Sequence, residues 1–455
     1  MNYHFIAIGG SAMHNLAIAL HKKGETITGS DDEIFEPSRS RLAKHNLLPE
    51  KEGWFPEKIT TGIDAVVLGM HAKKDNPELL KSEQMGIPIY SYPEFLYNQT
   101  QLKTRAVIGG SHGKTSTTAM VMHVLKHCNK KFDYMVGAQL AGFDTMVDFS
   151  DDAQIAIFEG DEYLTSPIDP RPKFHLYKPH IALITGIAWD HINVFPTFEN
   201  YVEQFAIFAD QVENGGALIY FEEDERVNEI VKNCKNSIQF IPYKTHPFKI
   251  VNGITYLLYN NSEIPLNIFG EHNLQNLSGA KQVCLKLGIT ESEFYASIQS
   301  FEGAAKRLQL LGSNKRLIIY QDFAHSPSKL KATVDAVKEQ YPEKEIIACM
   351  ELHTFSSLNK TFLQEYKGTM EKADKALVFY SNHAIELKRL EKIDPILVSK
   401  SFDKQGIKVF TEKNRLKDEL FFMEFHDSVL LFLSSGNFDG INLKEFSDEL
   451  LKNCK

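Results

Sequence analysis

The chain has 455 residues, of which 43% are hydrophobic and 24% are charged, and its formal net charge at pH 7 is −9. This composition is typical of a globular protein and excludes disorder as the main state. At roughly 100–200 residues per domain, the length predicts two to four domains. The acidic balance argues against broad binding to nucleic acid or to a membrane surface, so local groups must hold any anionic ligand.

The five cysteines are scattered along the chain and include no C-x-x-C pair. An odd number of dispersed cysteines favours a reducing compartment and argues against a disulfide framework or a zinc site. The N-terminus has no basic region before its short apolar stretch, which argues against a signal peptide. No apolar run reaches the roughly 18 residues that span a bilayer. We therefore expect a cytoplasmic protein with neither a membrane nor a nucleic-acid partner.

Short apolar strands alternate with helical stretches through much of the sequence. This alternation predicts a parallel sheet with helices on both faces. Two pairs, Asn252-Gly253 and Asn260-Asn261, are hairpin turn signals and predict some antiparallel sheet. A polar linker is predicted at 98–104, and a third α/β block begins near residue 311. Strands are predicted at 5–8, 25–28, 65–69, 87–90, 105–108, 155–158, 181–185, 317–320, 345–349, 376–380 and 429–433, and helices at 12–23, 115–126, 328–340 and 442–453.

The segment G-S-H-G-K-T at residues 110–115, here named the phosphate loop, lies between a predicted strand and a predicted helix. Such a loop directs backbone N–H groups and a helix N-terminus at a polyphosphate. Lys114 is then expected on the β- and γ-phosphates, and the Thr115 hydroxyl on Mg²⁺. Ile108 occupies the first glycine position of the full G-x-x-x-x-G-K-[ST] pattern. The alternative is a glycine-rich turn with a surface lysine.

Carboxylates follow the strand at 155–158, where Glu159, Asp161 and Glu162 stand close together. The carboxyl end of a parallel strand is where a nucleotide-bound Mg²⁺ needs oxygen ligands. His191 follows the next strand and is a candidate for a second metal or for a phosphate contact. The alternatives are an acidic loop in solvent and a structural histidine.

A second glycine turn, Gly9-Gly10-Ser11, follows the first strand and opens a helix. Asp31 comes 22 residues after Gly9, beyond the second strand. This spacing suits a nucleotide diphosphate on the helix N-terminus and an acid near a ribose. The G-x-G-x-x-G fingerprint is not met, so a plain tight turn is the alternative.

Four motifs in chain order resemble those of the Mur ligases, the ATP-dependent amide ligases of bacterial cell-wall precursor metabolism. They are G-S-H-G-K-T-S-T at 110–117, F-G-E-H-N-L-Q-N at 269–276, G-A-A-K-R at 303–307 and D-F-A-H-S-P at 322–327. Several motifs in the right order are far more specific than any one of them, and the resemblance covers nearly the whole chain.

The resemblance implies an α/β fold with three domains. Residues 1–103 would form a Rossmann-like domain that binds a UDP-sugar, and residues 104–310 a P-loop domain that binds ATP and includes the antiparallel part. Residues 311–455 would form a Rossmann-like domain that binds the incoming amine. ATP and Mg²⁺ are the implied cofactors.

The same resemblance implies a role for individual residues. Lys114, Glu159 and His191 would be catalytic, and Thr115, Glu159 and His191 would bind the metal. His353 would contact the amine substrate, and the UDP-sugar would lie at Gly10, Ser11 and Asp31. The residues implied to contact ATP are Gly110, Ser111, His112, Gly113, Lys114, Thr115, Ser116, Asn273, Asn276, Arg307, Asp322 and His325.

Two branches of the family compete. The segments 32–42, 158–163, 170–180 and 434–441 are similar to the branch that joins UDP-N-acetylmuramate to the tripeptide L-alanyl-γ-D-glutamyl-meso-diaminopimelate. The segment H-T-F-S at 353–356 is more similar to the branch that adds L-alanine.

Two departures from the family pattern bear on the metal site. Gly186 stands where the family usually has Asn, and no lysine follows His191 before Lys232. The carbamoylated lysine of some Mur ligases therefore has no candidate just after the histidine. Outside the family, an NAD-dependent oxidoreductase that uses the Gly9-Gly10 turn and an inactive nucleotide-binding scaffold remain as alternatives.

Overall fold

The computed structural model describes residues 1–189, 194–304, 306–388 and 390–454, and the elements below belong to this part of the chain. The chain divides into two compact units, Met1–Lys244 with Asn276–Ile298, and Thr245–Gln275 with Gln299–Lys455. Of the four sheets in this part of the chain, three are mainly parallel and alternate with helices along the sequence, which confirms the predicted α/β class. The limits 1–103, 104–310 and 311–455 stay a prediction. None of the described helices is long and apolar enough to cross a bilayer.

The first unit begins with alternating strands and helices: β1 (Asn2–Ile6), α1 (Ser11–Lys22), β2 (Thr26–Ser30), α2 (Ser38–Lys44), β3 (Ala65–Leu68), α3 (Pro77–Met85), β4 (Ile89–Ser91) and α4 (Tyr92–Gln99). The strands form a parallel sheet in the order β2-β1-β3-β4. A capping box between Ser91 and Glu94 starts α4, which continues to Gln99. The linker predicted at 98–104 is therefore shorter and comprises residues 100–103.

A larger sheet follows, with its helices: β5 (Thr104–Gly109), α5 (Lys114–His127), β6 (Asp133–Met135), β7 (Val147–Asp148), β8 (Ile155–Glu159), β9 (Ile181–Ile184), α6 (Phe198–Asp210), β10 (Ala217–Phe221), α7 (Glu225–Asn233) and β11 (Gln239–Tyr243). The order is β11-β10-β9-β5-β8-β6-β7, and the pairs are parallel except β6 with β7. The strands β5, β8 and β9 are almost wholly buried, as expected for a parallel sheet covered on both faces. Their carboxyl ends meet at one edge.

A small antiparallel sheet consists of β12 (Phe248–Val251), β13 (Ile254–Tyr259) and β14 (Ser262–Leu266). Its two hairpin turns are Asn252-Gly253 and Asn260-Asn261, and all four turn residues have positive φ. Type I′ turns require this conformation, which Asn and Gly tolerate best. The predicted antiparallel part is therefore confirmed. Two helices follow, α8 (Glu271–Lys286) and α9 (Glu291–Ile298); most of α8 and all of α9 belong to the first unit.

The rest of the second unit contains β15 (Gln309–Ser313), β16 (Leu317–Asp322), α10 (Pro327–Gln340), β17 (Glu345–Glu351), β18 (Lys375–Phe379), α11 (Asn382–Leu387), α12 (Pro395–Phe402), β19 (Lys408–Phe410), α13 (Lys413–Phe421), β20 (Ser428–Leu433) and α14 (Leu443–Asn453). The sheet order is β15-β16-β20-β17-β18-β19, with β15 as an antiparallel edge. Alternate residues of β17 enter two cores: Ile346 and Ala348 lie on one face, and Ile347 and Cys349 on the other.

Three short 3-10 helices are Pro56–Lys58, Lys173–Leu176 and Phe362–Tyr366.

Candidate functional site

The phosphate loop is tied to the segment that follows the neighbouring strand β9. The Ser111 N–H donates to the Gly186 carbonyl at 2.9 Å. The Thr185 hydroxyl donates to the His112 carbonyl. Because β5 and β9 are parallel neighbours, these bonds hold the loop at the carboxyl end of the sheet, where α/β proteins bind ligands.

Two glycines let the phosphate loop approach its neighbours more closely than other residues could. Gly110 and Gly113 have φ angles of 129° and 78°. A Cβ on Gly110 would lie 2.0 Å from Thr185 Oγ1, and a Cβ on Gly113 would lie 2.0 Å from Asn276 Oδ1. Asn276 of α8 therefore packs directly against the loop, as a predicted ATP contact would.

Lys114 is held inside the loop by a carbonyl and a carboxylate. Its Nζ donates to the Gly110 carbonyl and to Glu162 Oε2, both at 2.7 Å. The Glu162 side chain is fully buried and also accepts from the Tyr201 hydroxyl at 2.9 Å. Burial alone lowers the pKa of Lys114, but the charges of Glu162 and Asp161 raise it above its ordinary value. The ammonium is therefore charged, as a phosphate ligand must be.

Thr115 and Glu159 face each other at the start of α5 and the end of β8. The Thr115 hydroxyl donates to Glu159 Oε1 at 2.8 Å, and the Gly137 N–H donates to Glu159 Oε2 at 2.7 Å. Glu159 and Glu162 are both buried, so the alternative of an acidic loop in solvent is wrong for these two residues. Ser116 is buried in the first turn of the same helix.

Asp161 has a different partner from its neighbours. It accepts a hydrogen bond from Lys173 Nζ at 2.6 Å. Burial alone would raise the pKa of Asp161, but the charges of Lys173 and Lys114 lower it to about 2. The carboxylate therefore stays ionised and adds negative charge beside the phosphate loop.

The oxygen atoms of Thr115 and Glu159 are the hard ligands that Mg²⁺ prefers. The third predicted ligand, His191, lies outside the described residues. Within the described part of the chain, no group of three or more His, Cys, Asp or Glu side chains is arranged to hold a metal ion. A hydroxyl and a carboxylate fit a Mg²⁺ that phosphate oxygens also bind, and the metal site stays a prediction.

The first glycine turn is fixed by Asp31. The Gly9 N–H donates to Asp31 Oδ2 at 2.7 Å, and the Gly53 N–H donates to the Asp31 carbonyl at 2.7 Å. Burial and the neighbouring Asp32 raise the pKa of Asp31 to about 6. Gly10 is the N-cap of α1 and adds no side chain over the first N–H groups of the helix, while Ser11 is exposed. Within the described residues, no side chain therefore caps the N-terminus of α1, and the role predicted for this turn toward a UDP-sugar stays a prediction.

In the second unit, Asp322 organises the residues around it. It accepts from the N–H groups of Leu308 at 2.7 Å and Ala324 at 2.8 Å. The Arg307 guanidinium lies 4.7 Å from the centre of the Phe323 ring. Asp322 thus positions the backbone beside Arg307.

The other two predicted ATP contacts of this unit make local hydrogen bonds. The Asn273 side-chain amide donates to the Phe269 carbonyl at 2.8 Å. His325 Nδ1 lies 2.9 Å from the Phe323 carbonyl. The roles predicted for these residues toward ATP stay predictions.

His353 lies just beyond the carboxyl end of β17. Its Nδ1 is 3.8 Å from Glu351 Oε1, and its side chain is 38% exposed. Glu351 also accepts from the Ser434 hydroxyl and from the Phe438 N–H. A Cβ on Gly436 would lie 2.7 Å from His353 Cγ. The segments 353–356 and 434–441, which resemble different branches of the family, therefore meet at one place.

Several residues that shape the phosphate loop could not be singled out from the sequence. Tyr201 lies in α6 and bonds Glu162, while Gly137 supports Glu159 and Thr185 supports His112. Tyr201 and Gly137 lie in segments without a motif, so their role appears only when the strands are assembled. Thr185 ends a predicted strand, a position that is a weak signal by itself.

The fold and the site define the class of protein first. A lysine, a threonine and a buried carboxylate around a strand–loop–helix turn, at the carboxyl end of a parallel sheet, are the parts of a P-loop nucleotide site. Two family models match the chain: the Mur ligase middle domain matches residues 108–284, and the catalytic domain of the Mur ligase family matches residues 2–104.

Curated relatives cover most of the chain. A UDP-N-acetylmuramate–L-alanine ligase of Lactiplantibacillus plantarum is 30% identical over 84% of each chain, and one of Limosilactobacillus reuteri is 28% identical over 99% of each chain. Solved structures share the fold. A murein peptide ligase, Mpl, of Psychrobacter arcticus has a TM-score of 0.66 at 19% identity over 99% of each chain. A UDP-N-acetylmuramate-alanine ligase, MurC, of Thermotoga maritima has a TM-score of 0.71 at 19% identity over 99% of this chain and 98% of that one.

The chain belongs to the Mur ligase family and is an ATP-dependent ligase. This result confirms the family resemblance and the prediction that the protein is an enzyme that uses ATP. It rules out the alternatives of an NAD-dependent oxidoreductase and of an inactive scaffold.

Proposed function

We propose that this ligase joins the lactate carboxylate of UDP-N-acetylmuramate to the amine of L-alanyl-γ-D-glutamyl-meso-diaminopimelate. The observation that carries the proposal is the phosphate loop, where Lys114, Thr115 and Glu159 converge. A carboxylate is a poor electrophile, so it must be activated before an amine can attack it. ATP supplies the activation: a carboxylate oxygen bonds to the γ-phosphorus, the bond to the β-γ bridging oxygen breaks, and the products are an acyl phosphate and ADP.

The charges around the phosphate loop suit this first step. A carboxylate and a triphosphate are both anionic, and they repel each other as they approach. The Lys114 ammonium offsets that repulsion, and positioned positive charge is the main source of phosphoryl-transfer catalysis. A bound Mg²⁺ would neutralise further charge on the β- and γ-phosphates. The Thr115 hydroxyl and the Glu159 carboxylate are the oxygens that would hold it.

In the second step the amine attacks the carbonyl carbon of the acyl phosphate. The new C–N bond forms, the C–O bond to phosphate breaks, and inorganic phosphate leaves with the bonding electron pair. The amine must lose its proton on the way. His353 is the candidate contact for this substrate, and Glu351 lies beside it.

The first glycine turn suits the sugar nucleotide. A helix N-terminus beneath Gly10 and Ser11 can hold the diphosphate through backbone N–H groups. Asp31 is positioned by the turn itself and is the candidate for a ribose contact. These assignments give UDP-N-acetylmuramate its own place, separate from the phosphate loop.

The surroundings of His353 favour a peptide over free alanine. A peptide presents amide groups that free alanine lacks. The Glu351 carboxylate lies 3.8 Å from His353 Nδ1 and can accept hydrogen bonds from an amine or an amide N–H. The segment 434–441 beside it contains two serines and an asparagine, which suit the amide groups of a peptide. The names of the curated relatives favour L-alanine, which we keep as the second candidate.

Steady-state ADP formation with UDP-N-acetylmuramate and three amines tests the proposal. The amines are L-alanine, the dipeptide L-alanyl-γ-D-glutamate and the tripeptide. We expect the highest kcat/KM with the tripeptide and no ADP when UDP-N-acetylmuramate is omitted. A preference for L-alanine would transfer the function to the second candidate, and no ADP with any amine would refute both.

A pair of histidine variants tests the amine site. The His353→Ala change should raise the KM for the amine about 10-fold or more and leave the KM for ATP unchanged, because one ordered contact is worth about 1–2 kcal/mol. His426 is a matched control, since it also lies beside a carboxylate, with Glu424 at 3.5 Å. The His426→Ala change should alter neither KM.

A further inference from the structure

A line of buried polar groups runs behind the lysine of the phosphate loop. Glu162 accepts from Lys114 Nζ at 2.7 Å and from the Tyr201 hydroxyl at 2.9 Å. That hydroxyl lies 3.0 Å from Ser111 Oγ, which accepts from the Ala188 N–H at 2.9 Å. The line therefore begins at Lys114 and returns to the phosphate loop at Ser111.

The line controls the direction in which Lys114 points. An ammonium group has three N–H donors. Two of the three donate within the described residues, to the Gly110 carbonyl and to Glu162. With two directions fixed, the third N–H has one orientation left, which a phosphate oxygen in the loop can use. A lysine held in this way loses little rotamer entropy when a phosphate arrives.

Glu162 is itself stabilised by the other polar groups of this line. Its side chain is fully buried, and a buried carboxylate is stable only when it is paired and hydrogen-bonded. Lys114 supplies the charge and Tyr201 supplies a hydrogen bond to the other oxygen. Tyr201 is also fully buried, in the first turn of α6, so its hydroxyl has little freedom to move.

We propose that Glu162 is a positioning residue that, together with Tyr201 and Ser111, fixes the Lys114 ammonium against the phosphate that this ligase transfers. In this proposal Glu162 acts through Lys114. The proposal rests on the use of ATP and on no choice between the amine substrates.

A second ion pair in the same unit provides a matched control. Lys103 Nζ lies 2.6 Å from Asp133 Oδ2, and the exposed fractions of the two side chains are 14% and 0%, equal to those of Lys114 and Glu162. Asp133 also accepts from the Ser150 N–H, and it lies in β6 rather than at the phosphate loop. Removal of its charge should cost stability without changing the site for ATP.

The experiment compares E162Q, Y201F and D133N in melting temperature, KM for ATP, KM for UDP-N-acetylmuramate and kcat. E162Q keeps the shape of the side chain and removes its charge. We expect kcat to fall about 100-fold, as when one preorganised charged contact is lost, with a higher KM for ATP and an unchanged KM for the sugar nucleotide. Y201F leaves the Lys114–Glu162 pair and should lower kcat/KM for ATP about 3–10-fold. D133N should lower the melting temperature and keep kcat and both KM values.

Three results would overturn the proposal. The first is E162Q with kcat and KM for ATP within about twofold of D133N, a difference too small for a lost buried charge contact. The second is full recovery of E162Q at high Mg²⁺, because Glu162 would then act on the metal rather than on Lys114. The third applies if E162Q does not fold, because the test then depends on Y201F. A folded Y201F with the wild-type kcat/KM for ATP would show that these buried polar groups do not position Lys114.

Discussion

The first unit contains two strand–glycine–helix turns that use the same backbone device in different ways. In both, a buried parallel strand ends, glycines turn the chain, and a helix begins with its N-terminus at the turn: β1 leads to α1, and β5 leads to α5. At the first turn the supporting side chain is Asp31, which bonds the backbone of Gly9. At the second turn Lys114 and Thr115 are the first two residues of the helix.

The difference between the two turns separates the groups that bind a phosphate from the additional groups that phosphoryl transfer requires. Backbone N–H groups and a helix N-terminus are enough to hold an anion. Transfer of a phosphoryl group also needs positive charge at a fixed position, and the second turn provides it through Lys114, which Glu162 holds. We therefore expect the first turn to bind and the second to react.

The largest expected effect comes from the loss of the ammonium at the second turn. Lys114→Ala should lower kcat for ADP formation by about 1,000-fold or more, since phosphoryl transfer depends on positioned positive charge. The melting temperature should stay close to that of the Lys103→Ala variant, which removes a lysine of equal exposure from an ion pair elsewhere in the unit. ADP release by folded Lys114→Ala at the wild-type rate would show that the second turn does not react as we expect.

A smaller effect should separate the glycines of the two turns. Gly110 has a φ of 129°, and a Cβ there would lie 2.9 Å from the Thr185 backbone nitrogen as well as 2.0 Å from Oγ1. A Cβ on Gly9 would lie 2.9 Å from Asp31 Oδ2 and 3.0 Å from Ile34 Cγ1, which are side-chain rather than backbone atoms.

The Gly110→Ala change should therefore cost about 3 kcal/mol of unfolding free energy and abolish ATP binding, since both strain and overpacking act there. The Gly9→Ala change should cost only about 1 kcal/mol and raise the KM for UDP-N-acetylmuramate but not for ATP. Chemical denaturation and the two KM values measure these effects. Equal costs at both positions would mean that the turns are equally tight.

Many of the features that the two turns share or differ in could be predicted from the sequence. The glycine pairs, the strand before each and the lysine at 114 are local signals, and the hairpin pairs Asn252-Gly253 and Asn260-Asn261 identified the antiparallel sheet because positive φ restricts residue type. The partners of Lys114 could not be predicted fully. Tyr201 and Glu162 are 39 residues apart in the sequence, and the sequence around Tyr201 contains no pattern that indicates this contact.

The ends of the elements were also harder to predict than their presence. The linker expected at 98–104 proved partly helical because the capping box of Ser91 and Glu94 starts a helix that runs to Gln99. Polar composition indicated a loop, whereas a local hydrogen-bond pair decided the structure. The same limit applies to His353, since Gly436 becomes its neighbour only when β17 and β20 pair.

A further expected effect is a pH dependence of stability that belongs to the first turn alone. Burial and Asp32 raise the pKa of Asp31 to about 6, above its ordinary value of 3.8. The folded state therefore binds this proton more tightly than the unfolded state does. Its contribution to stability is fully present below pH 3.8 and is lost as the pH rises through 6.

The Asp31→Asn variant keeps an oxygen for the Gly9 N–H and cannot titrate. Its unfolding free energy relative to the wild type should therefore rise by about 2 kcal/mol between pH 4 and pH 7, measured by denaturant titration at each pH. Asp152 is the control, because its pKa is lowered to about 2 by Lys131 and it titrates below this window. The Asp152→Asn difference should stay flat. A flat curve for Asp31→Asn as well would mean that the first turn holds its carboxylate without the cost of burial, and that its acid is as accessible to solvent as the surface one.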